Sequence, residues 1–330
     1  MIIPRNLGGA ISYRWRQPSQ KWLNRPLITA IGSFPPAERT VEEALRYYVE
    51  IQLKLGYDLI TDGEPRHDMI SYLASDIPGL GLIGSKPAVV GRIAEPKNPD
   101  ESLKARDSAF VRDLLDKKGS DKSIKIAVTG PVTLGFTCAL TASGPYRGPN
   151  DPSLYDDLAL ALGSLASFLQ SNGAIVQVDE PGLSGGFMDP TKGVGHLRQM
   201  TSQLDPSKTV VHVCGRISHR LNDELLKLEN VGTMSHAFAS SPENLEMLDR
   251  RRFLEAEKCL GAGIVRVGIA RPEATDSSQE IADLFESVRN RIGEDLIRYV
   301  HPDCGLRSTD TGAAIALLTN LSHAMNTLAG

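Results

Sequence analysis

The sequence predicts an α/β fold, an eight-stranded (β/α) barrel. Two observations carry this. Short β-branched runs ending in Gly, Pro or a polar residue recur eight times along the 330 residues, with helix-like segments between them. Strands that alternate with helices pair in parallel with the helices outside, and eight is the number that closes a barrel. The alternative, a doubly wound open sheet, needs a Gly-rich phosphate turn after its first strand. Ile31-Gly32-Ser33-Phe34-Pro35-Pro36 is not such a turn.

The strand-like runs are 27–32, 57–63, 124–130, 174–179, 209–214, 232–238, 263–269 and 297–304. Helical patterns cover 41–55, 154–172, 190–204, 220–228, 242–260, 277–292 and 311–328, the last capped by Thr309 or Asp310. Residues 80–123 break the rhythm and read as an insertion, with a hairpin strand at 88–93 and a polar helical stretch over 95–120. Residues 1–24 read as an N-terminal arm. The whole chain, 1–330, is expected to form one catalytic domain, since a single barrel commonly reaches about 250 residues or more.

Composition excludes several classes. The chain is 41% hydrophobic and 23% charged, with a formal net charge of -4, so it carries no polyanion-binding excess and nucleic acid is not an expected partner. No apolar stretch is long enough to span a membrane, and the N-terminal residues lack the apolar region of a secretory signal. Cys138, Cys214, Cys259 and Cys304 are too widely spaced for a disulfide framework, so a reducing cytoplasm is the expected compartment.

The reactive residues collect at strand ends. Ser33 follows the first run, Glu64 the second, Asp179 and Glu180 the fourth, and His212 and Cys214 the fifth. His236 ends the sixth and Asp303 and Cys304 the eighth. In a barrel these ends share one mouth, where barrel enzymes keep their active sites. His212 and Cys214 are two apart, so both face one side of a strand. With Cys304 they form a donor set suited to Zn²⁺. A buried thiol beside a hydrogen-bonded histidine is the alternative reading. Glu64 and Asp179 read either as helix caps and salt-bridge partners or as a carboxylate pair receiving an ammonium group. In the second case Ser33 and the backbone around Gly32 would receive a carboxylate, making a holder for an α-amino acid. Cys259 reads as a packed thiol in a helix, Cys138 receives no role, His67 reads as a hydrogen-bonding residue at a helix start, and His196, His219 and His323 read as surface or core histidines.

Six motifs in order then resemble the catalytic barrel of the cobalamin-independent methionine synthase family. They are Ile31-Gly32-Ser33-Phe34-Pro35, Asp62-Gly63-Glu64-Pro65, Thr129-Gly130-Pro131-Val132-Thr133, Val178-Asp179-Glu180-Pro181, His212-Val213-Cys214 and Pro302-Asp303-Cys304-Gly305-Leu306. The resemblance runs from about Leu27 to Leu328. It implies a TIM barrel, a zinc held by His212, Cys214 and Cys304, and homocysteine held at its amino-acid end by Ile31, Gly32, Ser33, Glu64 and Asp179. Zinc-bound thiols are deprotonated, which makes the substrate sulfur a nucleophile without a covalent enzyme intermediate.

Three departures shape the expected reaction. The family glutamate on the strand after His-x-Cys is missing from Met234-Ser235-His236-Ala237-Phe238, so the fourth ligand is either His236 or an open position. Leu134-Gly135-Phe136-Thr137-Cys138 lacks the family tryptophan of the folate site. Val265-Arg266-Val267-Gly268-Ile269 lacks the family aspartate and proton-handling histidine. The length also leaves no room for the family's second barrel, which fits the shorter single-barrel class. The expected methyl donor is therefore a methylated corrinoid, methylcobalamin or a corrinoid protein, rather than methyl-folate. The competing expectations are an alkyltransferase for another thiol such as coenzyme M, and a non-catalytic corrinoid- or zinc-binding relative.

Overall fold

The computed structural model describes residues 25–329. The expected arm at 1–24 lies outside the described residues. Eight strands form one parallel sheet: β1 (Leu27–Ile28), β2 (Leu59–Ile60), β5 (Ser123–Thr129), β6 (Ile175–Asp179), β7 (Thr209–Val213), β8 (Thr233–Ala237), β9 (Cys259–Val265) and β10 (Ile297–Pro302). Their order around the sheet is β1-β10-β9-β8-β7-β6-β5-β2. A parallel bridge between Thr29 and Leu59 joins the two ends, so the sheet closes as a barrel. The insertion holds an antiparallel hairpin, β3 (Leu80–Ile83) with β4 (Lys86–Val89), and the helix Leu103–Lys117. The hairpin strand expected at 88–93 is β4, which begins two residues and ends four residues earlier.

Local chemistry explains the helix starts. Thr40 and Glu43 form a reciprocal capping box at Val41–Lys54, and Ser277 with Glu280 does the same at Ser278–Ile292. Asp310, rather than Thr309, caps the last helix by accepting from the amides of Gly312 and Ala313.

Two layers of core follow from the period-two pleat. Leu27, Leu59, Ile175, Val210 and Tyr299 come from separate strands and meet inside the barrel. The alternate residues, such as Val176, Val211, Met234 and Val300, join the large core between sheet and helices. Among the described residues, no helix is long and apolar enough to cross a membrane.

One strand departs from expectation. The seventh barrel strand is Cys259–Val265, not 263–269, and the helix expected at 242–260 shrinks to the turn Pro242–Met247 and the helix Arg250–Glu255. Gly261 and Gly263 hid the strand, because glycine lowers strand propensity. Both are needed for tertiary reasons. A Cβ at Gly261 would stand 3.0 Å from His301 Nε2, and one at Gly263 would stand 2.8 Å from Asp303 Oδ1. Cys259 therefore opens a strand rather than lying in a helix. Cys138 is buried in the helix Pro131–Thr141, where burial pushes its thiol up to about 12.

Candidate active site

Above the lower interior layer, the same pleat brings Gln177 and Asp179 of β6, His212 of β7, Ser235 of β8 and His301 of β10 toward the C-terminal mouth. A register shift between His301 and Pro302 bends the end of β10. Asp303 then clamps the loop after β8 by accepting from the amides of Phe238, Ala239 and Ser240. Cys304 follows directly.

The ligand atoms of His212, Cys214 and Cys304 all lie within 4.8 Å of one another. His212 is buried, whereas both thiols are half-buried and face the mouth. His212 Nδ1 meets Ser235 Oγ at 2.9 Å, while its Nε2 is buried with no hydrogen-bond partner among the described residues. An unpartnered buried nitrogen beside two thiols suits a soft divalent metal. Burial holds the His212 imidazole well below its usual range, hence neutral, as a ligand must be. The two thiols share a hydrogen bond that favours the Cys214 thiolate and raises the Cys304 thiol.

His236, expected as a possible fourth ligand, does not join this group. Ser235 faces the interior, so its neighbour faces the other side of the sheet, as Met234 does. His236 Nδ1 instead meets the Val213 carbonyl at 3.2 Å. Ala237 is the residue in phase with Ser235, and it offers no ligand atom.

The carboxylates are more heavily engaged than the sequence suggests. Glu64 has a left-handed φ of 49°, rare for a non-glycine residue and a mark of a held conformation. Its Oε1 accepts from Lys104 Nζ at 2.6 Å, and Lys104 reaches Asp62 at 3.5 Å. Burial raises Glu64, and Asp62 adds to this while Lys104 opposes it. Burial also raises Asp179 well above the usual carboxylate range, reinforced by the Glu64 charge. Asp179 Oδ1 accepts from Gln177 Nε2 at 2.6 Å. The Ile31 carbonyl already accepts from Lys125 Nζ and Gln177 Nε2, each at 3.2 Å, so both its lone pairs are used. Ile31 therefore has no acceptor left for a substrate. Burial lowers Lys125 to about 7. Ser33 lies against Gly305: a Cβ there would stand 2.3 Å from Ser33 Oγ. The Ser33 carbonyl accepts from the Leu306 amide at 2.8 Å, stitching the first and last strand ends together.

Two of the sequence motifs prove to interlock. The Glu180 carboxylate accepts from the amides of Val132 and Thr133 at the start of the helix Pro131–Thr141, and from the Thr133 hydroxyl. Gly130 makes room: a Cβ there would stand 2.1 Å from Glu180 Oε2. Burial raises Glu180 to about 7 from 4.5. A raised folded-state value means its contribution to stability is complete below about pH 4.5 and is lost as pH rises through about 7. Glu180→Gln is neutral and keeps one acceptor. It is expected to remove up to about 3 kcal/mol of the fall in unfolding free energy between those limits. Urea unfolding of both proteins across that range checks this, and parallel pH profiles would refute it.

Arg266, at the end of β9, is taken up by Asp276, with Nε to Oδ1 at 2.6 Å and its amide to Oδ2 at 2.7 Å. Sequence reasoning missed Lys104, Lys125, Gln177, Ser235 and His301. Lys125 had a signal, a charged residue inside an otherwise apolar strand run, which is sensible only if that side faces a polar barrel interior. Gln177 likewise stands two residues before Asp179 on the same face. Lys104 had none, being one of many charges on a polar helix.

A barrel mouth that gathers a histidine, two thiols and buried carboxylates belongs to a (β/α)₈ enzyme, and the comparisons make its class that of a methyltransferase. Residues 31–327 match the model of the cobalamin-independent synthase catalytic domain, and the chain belongs to that family. It is similar to the methionine synthase of Methanothermobacter thermautotrophicus, 30% identical over 94% of this chain and 96% of that one. The methionine synthase of Methanothermobacter marburgensis is 31% identical over 92% of this chain and 93% of that one. Among solved structures, a B12-independent methionine synthase from Shewanella sp. W3-18-1, in complex with selenomethionine, shares the fold. Its TM-score is 0.71 at 21% identity, covering 92% of this chain and 97% of that one.

Proposed function

We propose that this protein methylates homocysteine to methionine with the help of zinc held by His212, Cys214 and Cys304. The observation that carries this is the unpartnered His212 Nε2 beside the Cys214–Cys304 pair. Bound there, zinc would supply the Lewis acidity that keeps a substrate thiol deprotonated at neutral pH. The protein's own residues orient the substrate. Glu64 and Asp179 receive the ammonium group of homocysteine, and Ser33 with the Gly32 backbone receives its carboxylate. A bond forms between substrate sulfur and methyl carbon as the methyl–donor bond breaks, its electron pair leaving with the donor. No side chain is alkylated, so the chain contributes activation and alignment. Coenzyme M fits less well, because its sulfonate needs a free cation. Lys104 and Lys125 are already bonded to acceptors, and Arg307, which donates to the Glu64 and His67 carbonyls, stands beside the Glu64 carboxylate, which repels a sulfonate.

The proposed donor is a methylated corrinoid, free or carried by a corrinoid protein. Arg266 supports this reading: the residue at the end of β9 is a cation committed to Asp276, not a group that can hand a proton to a folate amine. The family's description as cobalamin-independent favours the other donor, methyl-folate. A direct assay separates the two. Purified protein carrying about one zinc per chain, mixed with methylcobalamin and homocysteine, is expected to yield methionine and demethylated corrinoid. Turnover with methyl-folate and none with methylcobalamin would overturn the donor, and a metal-free protein active with either would overturn the zinc.

A further inference from the structure

Below the His212–Cys214–Cys304 group runs a row of buried polar atoms that substrate holding does not use. His212 Nδ1 stands 2.9 Å from Ser235 Oγ, and Ser235 Oγ stands 2.9 Å from His301 Nε2. His301 Nδ1 stands 2.8 Å from the Pro302 carbonyl. The three residues come from β7, β8 and β10 and are at most 2% exposed. The two rings meet edge to face, with centroids 5.9 Å apart. The strand between β8 and β10 leaves space for them only because it carries Gly261, where a Cβ would stand 3.1 Å from Ser235 Cβ.

The direction of this row follows from counting hydrogens. A carbonyl only accepts, so His301 Nδ1 carries a hydrogen toward Pro302. Among the described residues no carboxylate is hydrogen-bonded to either ring, and a buried imidazolium without one is costly, so both rings are neutral. His301 Nε2 is therefore bare and accepts the single hydrogen of Ser235. The Ser235 oxygen must then accept, and the hydrogen it accepts is that on His212 Nδ1. What remains on His212 is a bare Nε2, the nitrogen with no partner.

We propose that Ser235 and His301 are positioning residues that fix His212 as its Nδ1–H tautomer and so present the Nε2 lone pair to the metal. This rests on the zinc reading above. Partners one shell out from a metal typically change its affinity by 10–100-fold. Ser235→Ala and His301→Leu are therefore expected to weaken zinc binding by about 10- to 100-fold in chelator competition, with both Cys ligands in place. In the metal-free full chain labelled with ¹⁵N, proton–nitrogen correlation of the histidine rings is expected to show His212 protonated at Nδ1. In Ser235→Ala it is expected to show a mixture of tautomers. A wild-type His212 protonated at Nε2, or zinc affinity unchanged in both variants, would overturn the inference. A wild type that binds no zinc would instead overturn the metal reading, and the tautomer measurement still decides the position of the hydrogen. If a variant fails to fold, the wild-type tautomer remains the deciding result.

Discussion

Cys304→Ser is expected to strip zinc from the protein and to abolish methyl transfer to homocysteine. Serine is nearly the same size, so the loop after β10 keeps its shape, including the clamp by Asp303 on the amides of Phe238, Ala239 and Ser240. What changes is the donor. A thiol is deprotonated on coordination and suits zinc, whereas a hydroxyl is a harder and far less acidic ligand. Changes one shell further out cost about 10–100-fold in metal affinity, so loss of a ligand itself is expected to cost more than about 100-fold. The measurement is zinc per chain by elemental analysis after dialysis, followed by methionine formation. Cys259→Ala supplies the contrast: Cys259 opens β9 away from the ligand group, and this variant is expected to keep its zinc. Full zinc in Cys304→Ser would remove the basis of the proposed site.

Lys104→Met is expected to be the most destabilising single change at the mouth. Lys104 is 1% exposed, and its ammonium serves both Glu64 and Asp62. Removing one partner from a buried ion pair costs about 3–5 kcal/mol, mostly because the remaining charge has no water and no counter-ion. Burial works to lower Lys104, but Asp62 and Glu64 outweigh it and raise the group, so the cation is firmly held. The same substitution frees Glu64 Oε1. Urea unfolding at neutral pH is expected to show the deficit. The deficit is expected to shrink in acid, where Glu64, already raised by burial, takes up a proton and no longer needs a counter-ion. An unfolding midpoint equal to wild type would show that solvent already reaches these carboxylates. Zinc content is expected to stay unchanged, because Lys104 bonds to none of the three ligands.

How much was legible in the sequence depends on how local the cause is. Helix starts were readable because Thr40, Ser277 and Asp310 act within three residues of themselves. The His212–Cys214 pair was readable because a strand alternates its faces. The same rule, with the correct phase, sends His236 away from the site, but the phase of β8 is fixed only by Ser235 meeting His212 and His301 across the barrel. The boundary of β9 was not readable. Its glycines answer to His301 and Asp303 on the neighbouring strand, a requirement that no local propensity records.

By itself, then, the sequence determined the barrel class, the family and the grouping of His212, Cys214 and Cys304, since each depends on order along the chain and on the two-residue repeat of a strand. Only the tertiary structure decided what surrounds that trio. Lys104 reaches Glu64 across 40 positions of sequence, and Ser235 reaches His301 across 66. Such contacts carry no mark in the chain because they are made by closure of the barrel. There, burial multiplies the strength of every charge and every unmade hydrogen bond, and so decides which side chains are free to act.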